Sequence, residues 1–238
     1  RMIPDPLENL QGYALYRHVM DNKGGGGSYH HFTDRIPKDE INTIVELGSR
    51  DALDAIWLSY IFDADVYAWE CHPDLWLNIK KNISHFDRVN MVDKAVWSED
   101  TTIDFFPVTN GNVGASSCFE ADNEVEGAPH LEQTKITVEA IRLDDWANKN
   151  NISEIDLLVM DLQGAEVEAL KGAGDLLQKV KYIITEGCVK PFYEGAPHID
   201  DITDILESYG FSLVADNMDT WQADELQGDF FFVRLAKQ

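Results

Sequence analysis

Five carboxylates dominate the chemistry this sequence offers, because each sits at the end of a short, β-prone apolar run. Glu46 lies in "TIVEL", Glu70 follows "VYAW", Asp93 follows "NMV", Asp161 follows "IDLLVM" and Glu186 follows "YIIT". If those runs are strands of one sheet, the acids converge on a single crevice, where they can pair with cations, accept hydroxyl hydrogen bonds and take protons. The first run leads into "ELGSRD", with Gly48, Ser49 and Asp51 in the turn. A dinucleotide site wants three glycines there, and amides free to hold phosphate at the helix start. One glycine, and an acid at position 51, disfavour a pyrophosphate on both sterics and charge. S-adenosylmethionine suits the arrangement better: it carries a sulfonium, an ammonium and a ribose diol, and no phosphate. On this reading Glu46, Gly48, Ser49, Asp51, Glu70, Asp93 and Asp161 hold the cofactor, and Glu70, 24 residues after Glu46, accepts the ribose hydroxyls.

Asp161 is the first choice for a base, since it ends a buried run at the crevice. Glu166 is a second candidate, although an acid in the first turn of a helix is favoured by the dipole in any case. His72 is a base or a helix cap, the cap being the preferred reading. Glu186 is a candidate substrate contact. Asp161 with Glu186 offers oxygen ligands to a hard cation, but the seven histidines show no HExxH spacing, and no metal is expected.

The elements that must position these residues alternate. Strand signals at Thr43–Leu47, Val66–Glu70, Val89–Val92, Ile155–Met160 and Tyr182–Glu186 are interleaved with helix signals after Gly48, at Pro73–Ile83, through Val167 and Leu170, and at Ile199–Tyr209. Two consecutive strands, Phe211–Val214 and Phe230–Leu235, follow. The pattern predicts an α/β fold with a doubly wound, mostly parallel seven-stranded Rossmann-like sheet and an antiparallel edge strand. Thr102–Phe106 and Ile136–Ile141 alternate with period two and predict a small β insertion, separated by a long polar connection that is expected to help define the substrate. Residues 1–42 read as an appendage, with a helix around Leu10–Met20 and a mobile hinge at Gly24–Ser28; residues 43–238 read as the catalytic domain.

Composition narrows the partners. There are 43 Asp+Glu against 19 Lys+Arg, a net charge of −24, so nucleic acid and anionic membranes are disfavoured. Three separated cysteines with no CxxC pair fit a reducing compartment, and no leader or membrane-length apolar run is read, so a cytoplasmic location is expected.

The blocks "IVELGSRDALDA", "VYAWECHP", "DKAVWSED", "IRLDDW" and "LLVMDLQGAEVEALKGA", in this order, resemble the FkbM family of S-adenosylmethionine-dependent methyltransferases from about Asn42 to Arg234. The most specific, Asp161-Leu162-Gln163-Gly164-Ala165-Glu166, is similar to the family's Asp-Val-Glu-Gly-Ala-Glu, with Gln163 where many members have Glu and Val159 where many have Lys. The resemblance implies a class I methyltransferase fold and O-methylation of a hydroxyl on a sugar or natural-product-like small molecule. It also implies substrate contacts at Ser116 and Ser117, in "GNVGASS", and a matching Asp144, read as a helix cap. An Asn/Asp-Pro-Pro-aromatic tetrad, the mark of amino-methylating DNA enzymes, is missing after the fourth strand. Two alternatives stay open: a non-catalytic cofactor-binding module of the same fold, and a NAD(P)-dependent oxidoreductase, which lacks its glycine-rich turn.

Overall fold

The structure is a computed structural model that describes residues 12–25, 29–218 and 226–235. In chain order its elements are α1 (Gly12–Asn22), α2 (His30–Thr33), β1 (Thr43–Leu47), α3 (Leu53–Phe62), β2 (Asp65–Trp69), α4 (Trp76–Ile83), β3 (Val89–Val92), β4 (Ala95–Val96), β5 (Thr101–Phe105), β6 (Ile136–Ile141), α5 (Leu143–Lys149), β7 (Ile155–Met160), α6 (Glu166–Ala173), β8 (Val180–Cys188), α7 (Ile199–Ser208), β9 (Phe211–Asp216) and β10 (Gln227–Arg234).

Seven strands form the main sheet in the order β3-β2-β1-β7-β8-β10-β9. The first five pair in parallel, and β10 runs antiparallel to both β8 and β9. The antiparallel strand therefore lies one place in from the edge rather than at it, and β9 is the edge strand, joined to the sheet through β10 alone. The β insertion is present as a three-stranded sheet, β4-β6-β5.

Strand β7 is buried at all six positions, as its unbroken apolar run requires when helices cover both faces of a parallel sheet. One face packs against α1 and α3; the other packs against α5, α6 and α7. Helix α3 is apolar almost all round because it lies between sheet and α1, with Leu53, Ile56, Leu58 and Phe62 all inaccessible. The described part of the N-terminal 42 residues shares this core, through Leu15, Val19, Phe32, Ile36 and Ile41. Of the run read as a hinge, Gly24 and Gly25 lie against Asp54: a Cβ on Gly24 would sit 2.1 Å from Asp54 Oδ1, and the Gly25 amide donates to the same oxygen at 2.9 Å. Gly26–Ser28 and the start of the expected N-terminal helix, Leu10 and Gln11, lie outside the described residues.

Two local details differ from expectation. The helix predicted from Pro73 opens as a 3-10 turn at Pro73–Leu75 and becomes α-helical at Trp76. Asp144 does not cap α5; its carboxylate takes a two-pronged ion pair from Arg142, at 2.9 and 2.6 Å. Val159 is fully buried in the core shared with α3, an environment that takes an apolar side chain without cost.

Candidate active site

A cavity of about 420 Å³ opens at the carboxyl ends of β1, β2, β7 and β8, within the range of small-molecule sites. Gly48 makes the floor possible. It has φ +88°, and a Cβ there would lie 1.9 Å from the Asp161 carbonyl oxygen, so only glycine lets the ends of β1 and β7 come this close. The turn that follows is strained: Arg50 and Ala52 both adopt left-handed backbone, at φ +50° and +62°. Glu70 holds it, its carboxylate accepting the Arg50 amide at 2.9 Å and the His72 amide at 2.7 Å.

Among the described residues, five acids line the cavity, Asp54, Glu70, Asp161, Glu186 and Asp229, against two cations, Arg50 and Lys94. Burial pushes Glu70 up to about 7 despite its backbone donors, Asp229 up to about 7, and Asp54 up to about 6. Asp161 and Glu186 are raised by burial too, Glu186 further because Asp161 and Asp229 add like charge; Arg50 and the Gln163 amide favour the Asp161 anion. Glu186 and Asp229 face each other across the β8–β10 pairing.

The segment from Asp161 to Glu166 is a turn with a separate task for each side chain. Gln163, at φ +51°, donates through Nε2 to Asp161 Oδ1 at 2.7 Å and to Glu186 Oε2 at 2.6 Å. Gln227 Nε2 donates to the other Glu186 oxygen at 2.9 Å. Gly164 has φ +105°, and a Cβ would meet Ala196 Cβ at 2.8 Å. Glu166 braces the turn, accepting the amides of Leu162 at 2.9 Å and Gly164 at 3.4 Å, and burial pushes it up to about 7.

Of the residues expected from sequence, Gly48, Ser49, Glu70, His72, Ser116, Asp161 and Glu186 line the cavity; Glu46, Asp51, Asp93, Ser117 and Glu166 do not. The reasons are local. Glu46 is buried within β1 and accepts the Ser49 hydroxyl. Asp51 accepts the Leu53 amide at the start of α3 and pairs with Arg50 at 3.2 Å. Asp93 is turned to solvent, 3.7 Å from Lys94, and the cavity side of that turn is Lys94, Ala95 and Val96. Ser117 is fully buried and donates to the Gln163 carbonyl at 2.7 Å, while Ser116 donates to the Val113 carbonyl at 2.7 Å. His72 caps the 3-10 turn, Nδ1 accepting the Asp74 amide at 3.3 Å, and burial lowers its pKa. Residues absent from the sequence reading complete the wall: Tyr29, Arg50, Asp54, Gln227 and Asp229. They come from the N-terminal segment, the first turn, α3 and β10, and no local pattern marks them.

The family model described as the methyltransferase FkbM domain matches residues 46–213. The chain belongs to the FkbM methyltransferase family. A curated relative, the 2-O-methyltransferase NoeI of Sinorhizobium fredii (strain NBRC 101917 / NGR234), is 31% identical over 180 residues, covering 72% of this chain and 73% of that protein. Among solved structures, the fold is similar to the fibrillarin pre-rRNA processing protein of Methanococcus jannaschii, at 14% identity and TM-score 0.51, covering 85% of this chain and 70% of that one. It is also similar to Aeropyrum pernix fibrillarin in complex with natively bound S-adenosyl-L-methionine, at 12% identity and TM-score 0.50, covering 83% and 69%.

This FkbM protein is thus an S-adenosylmethionine-dependent methyltransferase with the class I fold. Its residues fit the cofactor. The excess of buried acids calls for a cationic, phosphate-free molecule, and the buried indole N–H of Trp69, a residue of the cavity wall, has no protein partner among the described residues and suits an acceptor atom. Among the described residues, no helix is long and apolar enough to cross a membrane.

Proposed function

We propose that this chain transfers the methyl group of S-adenosylmethionine to a hydroxyl of a saccharide or related polyhydroxyl small molecule. The observation that carries the reading is the carboxylate pair Asp161 and Glu186 at the cavity, flanked by the amides of Gln163 and Gln227. Carboxylate acceptors held in place by neighbouring amides suit a ligand rich in hydroxyls, and the relative named a 2-O-methyltransferase supports it. Phe105 and Phe192 give the cavity apolar surface for the faces of a ring.

When bound, the cofactor supplies a methyl group on a sulfonium, which leaves as a neutral thioether. The acceptor oxygen would take that methyl group and give up its hydroxyl proton. Asp161 takes that proton, since its carboxylate ends β7 inside the cavity and Arg50 and Gln163 favour its ionised form. Glu70 keeps acceptor capacity beyond that given to the Arg50, Cys71 and His72 amides, and would hold the ribose diol. Asp54, also on the cavity wall, would hold the ammonium group. The remaining contribution is positioning, which for a displacement with a good leaving group is the larger part.

The test is methyl transfer from radiolabelled S-adenosylmethionine to a panel of neutral, amino and acidic saccharides. Transfer to a hydroxyl, located by mass spectrometry of the product, is the expected result. Cofactor binding with no transfer across the panel would instead favour a non-catalytic module.

A further inference from the structure

We propose that Gln163 is the positioning residue of this site: its side-chain amide clamps Asp161, the proposed base, and Glu186 into one fixed pair. The inference rests on the O-methyl-transfer reading and names the device that makes its base work.

The geometry is specific. The two hydrogens of Gln163 Nε2 go to two different carboxylates, at 2.7 and 2.6 Å, and Gln163 Oε1 lies 3.0 Å from the Tyr193 hydroxyl, whose one hydrogen is shared between it and the Ala115 carbonyl at 2.8 Å. This fixes which end of the amide faces the acids. The backbone is committed to the same end. Gln163 is buried and left-handed, a conformation a non-glycine residue adopts only when its surroundings impose it. Ser117 donates to its carbonyl from the long loop, and Glu166 binds the amides on either side of it. Three elements thus converge to hold one uncharged side chain in place.

An amide is the neutral side chain that can donate to two anions at once. A glutamate of the same shape would add a further negative charge to a buried cluster that already contains Glu46 of β1, Asp54 of α3, Glu70 of β2, Glu166 of α6 and Asp229 of β10. Arg50 is the cation that acts on Asp161, while Tyr29 and Tyr193 face the pair as neutral phenols. Because the amide donates to both carboxylates, it favours their ionised forms, and the pair releases its first proton at a lower pH than it would without Gln163.

The experiment compares the wild-type chain with Gln163→Met, which keeps the length and loses the donors, and Gln163→Glu, which keeps the shape and adds a charge. Two readouts are needed: the pH dependence of methyl transfer, and the carboxyl ¹³C NMR titration of the cofactor-free protein. The acid limb of kcat should move up by about one pH unit or more in both variants, the scale of a lost hydrogen bond to a charged group. Turnover should recover on the alkaline plateau, KM for the cofactor should stay unchanged, and the NMR midpoint should move with the limb. A loss of kcat that is uniform with pH, with an unmoved NMR midpoint, would overturn the proposal, since a merely structural role predicts that pattern. Should the turn fail to fold around either side chain, Tyr193→Phe removes the hydroxyl that orients the amide; a smaller shift in the same direction supports the proposal, and an unmoved limb counts against it. A wild-type chain that methylates no hydroxyl would remove the O-methyl reading, while the NMR titration would still decide the role of Gln163.

Discussion

In the proposed mechanism Asp161 and Glu70 divide the work of the site, and single substitutions separate them. Asp161→Asn keeps the shape of the side chain and removes the base. Cofactor affinity should stay close to wild type by calorimetry, while turnover should fall by about 10²–10⁴-fold, the range a positioned base contributes. Glu70→Ala removes a buried acceptor and should weaken cofactor binding by about one to two powers of ten, the scale of lost charge-assisted hydrogen bonds. An unchanged dissociation constant would take Glu70 out of the ribose role. Both residues were legible in the sequence because each ends an apolar run, and a parallel sheet presents such ends to its ligand. Glu46 and Asp93 met the same criterion and still miss the cavity, because position along a strand does not say which way a side chain turns. Glu46 stays within the strand and is satisfied by Ser49; Asp93 turns outward to Lys94. Asp54 and Asp229 were invisible for the opposite reason: they reach the cavity from a helix and from a distant antiparallel strand, through contacts no local pattern records.

The strands and helices themselves were largely legible, since burial on both faces leaves the unbroken apolar signature of β7 and amphipathic spacing leaves that of α7. The turns between them were less so. Nothing in "SRDA" announces that Arg50 and Ala52 are left-handed, and the reason lies in the approach of β1 to β7. That approach gives a prediction for the first turn. Gly48→Ala would place a Cβ 1.9 Å from the Asp161 carbonyl oxygen, so the two strand ends must part. The cost should be about 2 kcal/mol or more in denaturant unfolding, together with loss of cofactor binding. A variant as stable as wild type would mean that the turn is freer than the close contact implies. The long connection between β5 and β6 read as a loop and is one, but it is internally tied. Asn123 exchanges hydrogen bonds with both backbone groups of Leu131, at 2.9 and 3.1 Å, and Phe106, Val108 and Ala121 form isolated β-bridges. Its cavity side, from Asn112 to Ser116, is therefore a fixed wall.

At the scale of the whole molecule, charge sets stability. The net charge is −24, and several acids are buried with their pKa values pushed up to about 6 or 7. A carboxyl raised in the folded state binds more protons there than in the unfolded chain, so stability falls as pH climbs from the ordinary carboxylate range through 7. The cofactor-free protein should melt on the order of 5–10 °C higher near pH 5 than near pH 8. Bound S-adenosylmethionine, which brings positive charge, should flatten that slope. A flat or inverted profile in calorimetry without cofactor would contradict the burial of these groups. Added salt should also raise the melting temperature at pH 8 by screening like-charge repulsion. The acidic total was plain from composition, but its concentration in one cavity was not, because it depends on which strands become neighbours.

That neighbourhood has a consequence for biogenesis. Gln227 and Asp229, which touch or face Glu186, belong to β10, and β10 wedges between two strands made before it. A nascent polypeptide leaves the ribosome N-terminus first, so the parallel half of the sheet can collapse early, yet its pocket lacks a wall until synthesis has passed residue 229. Stalled or clipped chains that stop short of that point would carry the whole signature turn and still be enzymatically silent.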